Sequence, residues 1–112
     1  EEVVAACEAH AAEKGDGDPY GYYRLNLAFH ETVALGSGNP YLVEMIKTHA
    51  RKLLAYYRAR YRYPGSIPAS AREHRDLAQL ILDHRREDAE ARMAAHVQFD
   101  QVTVMDLLAA LG

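Results

Sequence analysis

Cysteine is almost missing from this chain. Cys7 alone among 112 residues excludes an intramolecular disulfide and any cysteine-based zinc site, and fits a reducing compartment. Long apolar runs are missing too: nothing approaches the ~20 residues needed to cross a bilayer, and no leader-peptide pattern is present. A soluble, cytoplasmic domain is the expectation, with no membrane partner. There is no basic excess, since 13 Lys plus Arg face 16 Asp plus Glu. The chain by itself therefore lacks the field that grips a phosphate backbone, and binding to nucleic acid by these residues alone is not expected. Period-two alternation, internal repeats and low-complexity stretches are also absent, which leaves strands without a signal.

What is present reads as helix. Residues 1–112 make one domain's worth of chain, and a hydrophobic share of 49% is enough to bury a core without covalent staples. Glu1 to Lys14 begins mid-pattern and ends at Gly15-Asp16-Gly17-Asp18. Pro19 opens a second helix to about Leu35, with Tyr23, Leu27, His30 and Ala34 along one face, and Gly36-Ser37-Gly38 stops it. Asn39 and Pro40 form a cap and first-turn pair for a long third helix to about Tyr61, on which Leu42, Met45, Ile46, His49, Leu53 and Tyr56 recur at helical spacing. Pro64, Gly65 and Pro68 mark a loop. Ser70 and Glu73 then read as a capping box for a fourth helix from Ala71 to about His84, its inner stripe His74, Leu77, Ala78 and Ile81. After a connection over Arg85 to Glu87, Asp88 caps a last helix carrying Ala89, Met93, His96, Phe99 and Thr103. The predicted architecture is all-α, an antiparallel helical bundle.

Chemistry on that scaffold centres on polar residues that fall on apolar stripes. Asn26 and His30 are one turn apart, roughly 40° in azimuth and about 6 Å along the axis, so both can reach one ion. His74 and His96 lie on later helices whose packing can bring them to the same depth. Three neutral nitrogens and an amide oxygen suit zinc, nickel, cobalt, manganese or iron rather than calcium. Separate core histidines, each satisfied by its own hydrogen bond, fit the same spacing. His49 also lies on an apolar stripe and can replace one of the set or support it from outside. A basic run, Lys47, Arg51, Lys52, Arg58, Arg60 and Arg62, holds no acid. It reads either as a solvated face or as the source of one inward arginine that meets an anion.

The run Leu25-Asn26-Leu27-Ala28-Phe29-His30, then Gly36-Ser37-Gly38-Asn39-Pro40-Tyr41-Leu42, then Glu73-His74, then Met93-Ala94-Ala95-His96, resembles the FCD family. These are the effector-binding C-terminal domains of FadR-type GntR transcription regulators, and the resemblance spans about residues 19 to 100. It implies an all-helical domain that senses a small organic acid, with a divalent metal, zinc foremost, held by His30, His74 and His96. The fourth ligand position falls on Asn26, where the family pattern has Asp, which removes a negative charge and weakens the expected hold on the metal. The family's first helix or two and its winged helix-turn-helix precede the matched region, so the domain is expected to be truncated at its N-terminal end. Operator DNA would be bound only through that absent domain, within a homodimer.

The mechanism so implied leaves coordination positions open for the acid's carboxylate, with Arg51 or Arg58 and Tyr23 or Tyr57 as partners for its remaining oxygens. The competing classes are a metal-dependent hydrolase or hydratase, with Glu31 or Glu73 as its base, and a metal-free helical interaction module. A sensor without catalytic residues is the expectation carried forward.

Overall fold

The computed structural model describes residues 2–111; Glu1 and Gly112 lie outside them. Seven helices follow one another: α1 (Glu2–Lys14), α2 (Pro19–Gly36), α3 (Pro40–Lys52), α4 (Leu54–Arg60), α5 (Ser66–Leu82), α6 (Arg86–His96) and α7 (Gln101–Leu111). No strand occurs among the described residues, and none of their helices is long and apolar enough to cross a membrane.

The early boundaries follow local chemistry. Gly15 takes the left-handed conformation (φ +53) that ends α1. Asp18 accepts a hydrogen bond from the Gly21 N–H (3.0 Å) at the start of α2, and Pro19 occupies the first turn. A side chain at Gly21 would displace that cap, because a Cβ there would lie 2.2 Å from Asp18 Oδ2 and 3.1 Å from His10 Nε2. Asn39 Oδ1 accepts from the Tyr41 N–H (3.0 Å) to open α3.

The long third helix is divided. Leu53 leaves helical geometry (φ −95, ψ 7), although neither glycine nor proline stands there. The cause lies on another helix: the Tyr23 hydroxyl donates to the Ala50 carbonyl (2.7 Å), which also takes the Leu53 N–H at 3.2 Å. The carbonyl that would have continued the ladder is diverted, and α4 sets off with a new phase.

α5 starts at Ser66, five residues before the expected Ala71. Its cap comes from far along the chain, where Asp16 accepts from the N–H groups of Gly65 (2.7 Å) and Ile67 (3.3 Å). Pro68 then falls in the first turn, where its missing N–H has no partner to lose. Ser70 and Glu73 are thereby not a capping box and are free for other partners. α5 ends at Leu82 rather than His84, which itself adopts φ +58 as the Arg85 and His84 N–H groups return to Leu80 (2.9 Å) and Ile81 (3.1 Å). This is a Schellman ending on a non-glycine residue. Asp88 is likewise not a cap: α6 begins at Arg86, and Asp88 pairs with Arg85 from the first turn.

The expected last helix also breaks, stopping at His96. Asp100 restarts the chain as α7 by accepting from the Thr103 N–H (3.0 Å) and hydroxyl (2.8 Å). α7 packs against α4, helped by the Asp100 N–H to Tyr56 hydroxyl bond (2.7 Å) and by the Tyr63 hydroxyl on Asp106.

Two buried clusters hold these helices together. Cys7, Tyr22, Tyr61, Ile67 and Ala71 form one. Val4, Phe29 and Leu77 form the other, and burying a side chain such as Leu77 stabilises the fold by about 1.5–3 kcal/mol. α1 lies against α2 and α5, and α5 against α6, so the helices that carry the histidines are packed in place by apolar neighbours.

Candidate metal centre

α2, α5 and α6 each send one histidine to a common point. His30, His74 and His96 offer one ring nitrogen each, all lying within 4.8 Å of one another. Their ring centroids are 5.7 Å (His30 to His74), 5.2 Å (His30 to His96) and 5.0 Å (His74 to His96) apart.

Each ring is held differently. His74 is fully buried and stacks on Phe29 at 4.0 Å with an interplanar angle of 11°. Neither of its nitrogens has a hydrogen-bond partner. A buried polar atom left unpaired costs about 1–3 kcal/mol, so two on one ring mark a position that the fold alone does not explain. His96 Nδ1 donates to Glu73 Oε2, one turn beside Ser70 and next to His74 in sequence, which leaves Nε2 of His96 with its lone pair. His30 lies edge-on to Phe29 at 5.3 Å.

Burial also sets the charge of the cluster. It pushes the His74 imidazole down to about 3, with the neighbouring His96 and His30 adding to the effect. It pushes His30 down to about 4, His96 again contributing. Both rings are neutral at pH 7, the state in which a nitrogen can bind a cation. Orphaned nitrogens, neutral rings and an oriented third imidazole fit a divalent transition metal held by His30, His74 and His96.

Asn26, buried at 4% exposure, stands one turn before His30. It lines both cavities that flank the cluster. One, of about 280 Å³, is polar and bounded by His96, Glu73, Arg60, Tyr56, Ser66 and Asp100, among others. The other, of about 470 Å³, is walled mainly by apolar side chains, including Leu27, Leu42, Ile46 and Met93, and it is bordered by His30.

Of the remaining sequence-predicted residues, Tyr57 lines both cavities and Tyr23 the apolar one, although the Tyr23 hydroxyl is occupied by Ala50. His49 is exposed at the rim of the apolar cavity, outside the histidine cluster. Arg51 and Arg58 are both exposed and border neither cavity; Arg58 lies on a shallow surface depression with Tyr20 and Arg62. The break at Leu53 explains this, since the new phase of α4 brings Arg60 to the polar cavity instead. Arg60 was visible only as one of a basic run. Glu73, a cap or base candidate by sequence, stands next to His74, and that adjacency is the signal that it lies near the site.

A model of the FCD domain matches residues 1–99, from α1 through α6, and stops before α7. No curated protein and no solved structure matches the chain. With the match extending over most of the chain and enclosing every histidine of the cluster, this chain belongs to the FCD domain family, the effector-binding domains of GntR-type transcription regulators.

Proposed function

We propose that this domain senses a small organic acid at a divalent metal, zinc foremost, held by His30, His74 and His96 with Asn26 as a neutral fourth donor. The observation that carries the reading is His74: fully buried, neutral, and with both nitrogens unpartnered beside two other imidazoles. The bound ion supplies a Lewis-acid position at which a carboxylate oxygen is held. The rest is done by the chain. Glu73 fixes which nitrogen of His96 carries the proton, and Phe29, itself packed with Val4 and Leu77, fixes the plane of His74.

Output follows from differential stabilisation. The cluster draws on α2, α5 and α6, so a ligand that binds their closed arrangement better than an open one shifts the population toward it. In a homodimer that shift changes how two attached DNA-binding domains are spaced on an operator. No catalytic residue enters this reading; of Glu31 and Glu73, the two carboxylates next to a cluster histidine in sequence, Glu73 is committed to His96.

Elemental analysis with a zinc titration of the metal-free chain tests it. One ion per chain and a melting temperature that rises with zinc are expected, equivalent to about 2.7 kcal/mol at a hundredfold excess over Kd. A chain that takes up no ion after zinc, nickel, cobalt, manganese and iron have each been supplied overturns the metal-centred reading.

A further inference from the structure

Resting on that acid-sensing reading, we infer that the effector is an amphipathic monocarboxylate: its head lies in the polar cavity beside His96 and Arg60, and its aliphatic body fills the apolar cavity. The inference rests on the way the two spaces meet. Asn26, Tyr57, Val97 and Phe99 belong to the walls of both, so the cavities adjoin across one shared partition at the histidine cluster.

The polar side is equipped for one anionic group. Arg60 borders it and, among the described residues, forms no salt bridge. Ser66 is buried at 5% exposure, and its hydroxyl has no partner. A hydroxyl donor and a guanidinium fork are the complement of a carboxylate. The two acids on the same wall keep their charge, and Asp100 lies within electrostatic reach of Arg60, but the acceptor positions of both are engaged, which leaves Arg60, Ser66 and the bound metal to meet an anion. Glu73 takes the His96 Nδ1 proton, and Asp100 accepts both the Thr103 N–H and hydroxyl.

The other side is mainly apolar, with Asn26, His30, Ser37 and His49 its few polar members besides Tyr23 and Tyr57. Leu27, Leu42, Met45, Ile46 and Met93 dominate it, and its volume of about 470 Å³ exceeds that of the polar side, about 280 Å³. A compact hydroxy acid or dicarboxylate would leave most of that space unfilled and its apolar walls without contacts. An alkyl or aryl body gains instead, because each methylene buried is worth about a fourfold tightening.

Calorimetric titration of the zinc-loaded chain with acetate, butyrate, hexanoate and octanoate, and with malate as the polar comparison, is the test. The expected result is a single site per chain, with affinity climbing about fourfold per methylene over the middle of the series and octanoate far ahead of malate. Arg60→Gln should weaken every straight-chain acid by a similar factor, and Ile46→Asn should flatten the climb. The wild-type series needs no variant, so misfolding of either one leaves the decision intact.

Malate binding with no gain from acetate to octanoate overturns the amphipathic effector while acid sensing stands. Zinc-loaded protein that binds none of the five acids overturns both. A flat series together with a sedimentation shift from dimer to monomer in Ile46→Asn overturns the inference in favour of a second copy of the chain covering the apolar cavity.

Discussion

Tyr22 and His74 face each other across 6.3 Å with their rings almost parallel, and they belong to opposite kinds of interior. Although His10, whose ring lies 5.7 Å away, keeps an unpartnered Nδ1, Tyr22 has its own polar atom settled. Its hydroxyl donates to Ser70 at 2.8 Å, and its ring meets Tyr61 edge-on at 5.2 Å. His74 lies beside Phe29 and Leu77, equally buried, with no partner for either nitrogen. Both residues are in well-packed surroundings on α2 and α5. The difference is whether the fold has answered the polar atoms it buried: His74 leaves two nitrogens on one ring without a partner, where His10 and Ser66 each leave a single atom.

Replacing His74 with Leu breaks the comparison most severely. Structural zinc binds with about 10–16 kcal/mol in total, so losing one of four ligands should weaken metal binding by about a hundred- to a thousandfold. Metal-free stability should move the other way, rising by about 1–3 kcal/mol as two unpaired polar atoms are removed. That sign is what separates an orphaned ring from an ordinary core residue, for which truncation such as Leu77→Ala costs about 2–5 kcal/mol. Urea denaturation with and without zinc reads both effects. A loss of metal-free stability in His74→Leu would show that the ring's nitrogens are satisfied in solution.

Acid should expose the same contrast without mutation. His74 and His30 have imidazoles pushed from 6.5 down to about 3 and about 4, so the unfolded chain binds protons before the folded one does. Stability is complete above pH 6.5 and falls as the pH drops from there toward 3. Between pH 7 and 5 the metal-free protein should lose about 2–4 kcal/mol. The Tyr22 hydroxyl contributes nothing in that window, since burial pushes it further above its already high ordinary value. Melting curves across the range check the prediction, and a flat profile would mean that the rings are hydrated.

Much of this was legible in the sequence, and most of what was not has a common origin. The ends of α1, α2 and the start of α3 were written by neighbouring residues, Gly15, Pro19, Asn39 and Pro40, and the structure agrees with them. The break at Leu53 and the early start of α5 were invisible, because the groups responsible act through space, whereas the Asp100 cap on Thr103 that opens α7 is local and was missed. Tyr23 diverts a carbonyl 27 positions on, and Asp16 caps a helix 49 positions away. The histidines recur at helical spacing and appear in the resemblance, so their meeting was foreseeable. Arg60 was not, since its phase was decided by the break, nor was Glu73 as the partner of His96, which required α5 and α6 to be placed side by side.

Glu73→Gln sharpens the comparison inside the cluster itself. The carboxylate orients the His96 ring and enriches its free nitrogen, so the amide should lower zinc affinity by about 10–100-fold while leaving metal-free melting nearly unchanged, as Glu73 is half exposed. Competition against a zinc chelator gives the affinity. An unchanged value would reduce Glu73 to a surface partner.

Tyr22→Phe is the mildest change and tests the other side. It removes one hydroxyl from a settled pair and leaves Ser70, which is only partly buried, able to turn toward the polar cavity it borders. The expected loss is about 0.5–1.5 kcal/mol, the net value of a single hydrogen bond, at pH 7 and pH 5 alike and with zinc present or absent. Independence from pH and metal matters more here than magnitude. If the loss in Tyr22→Phe varied with zinc, the two interiors would be one coupled network, and the stacked faces of Tyr22 and His74 would be the contact that joins them.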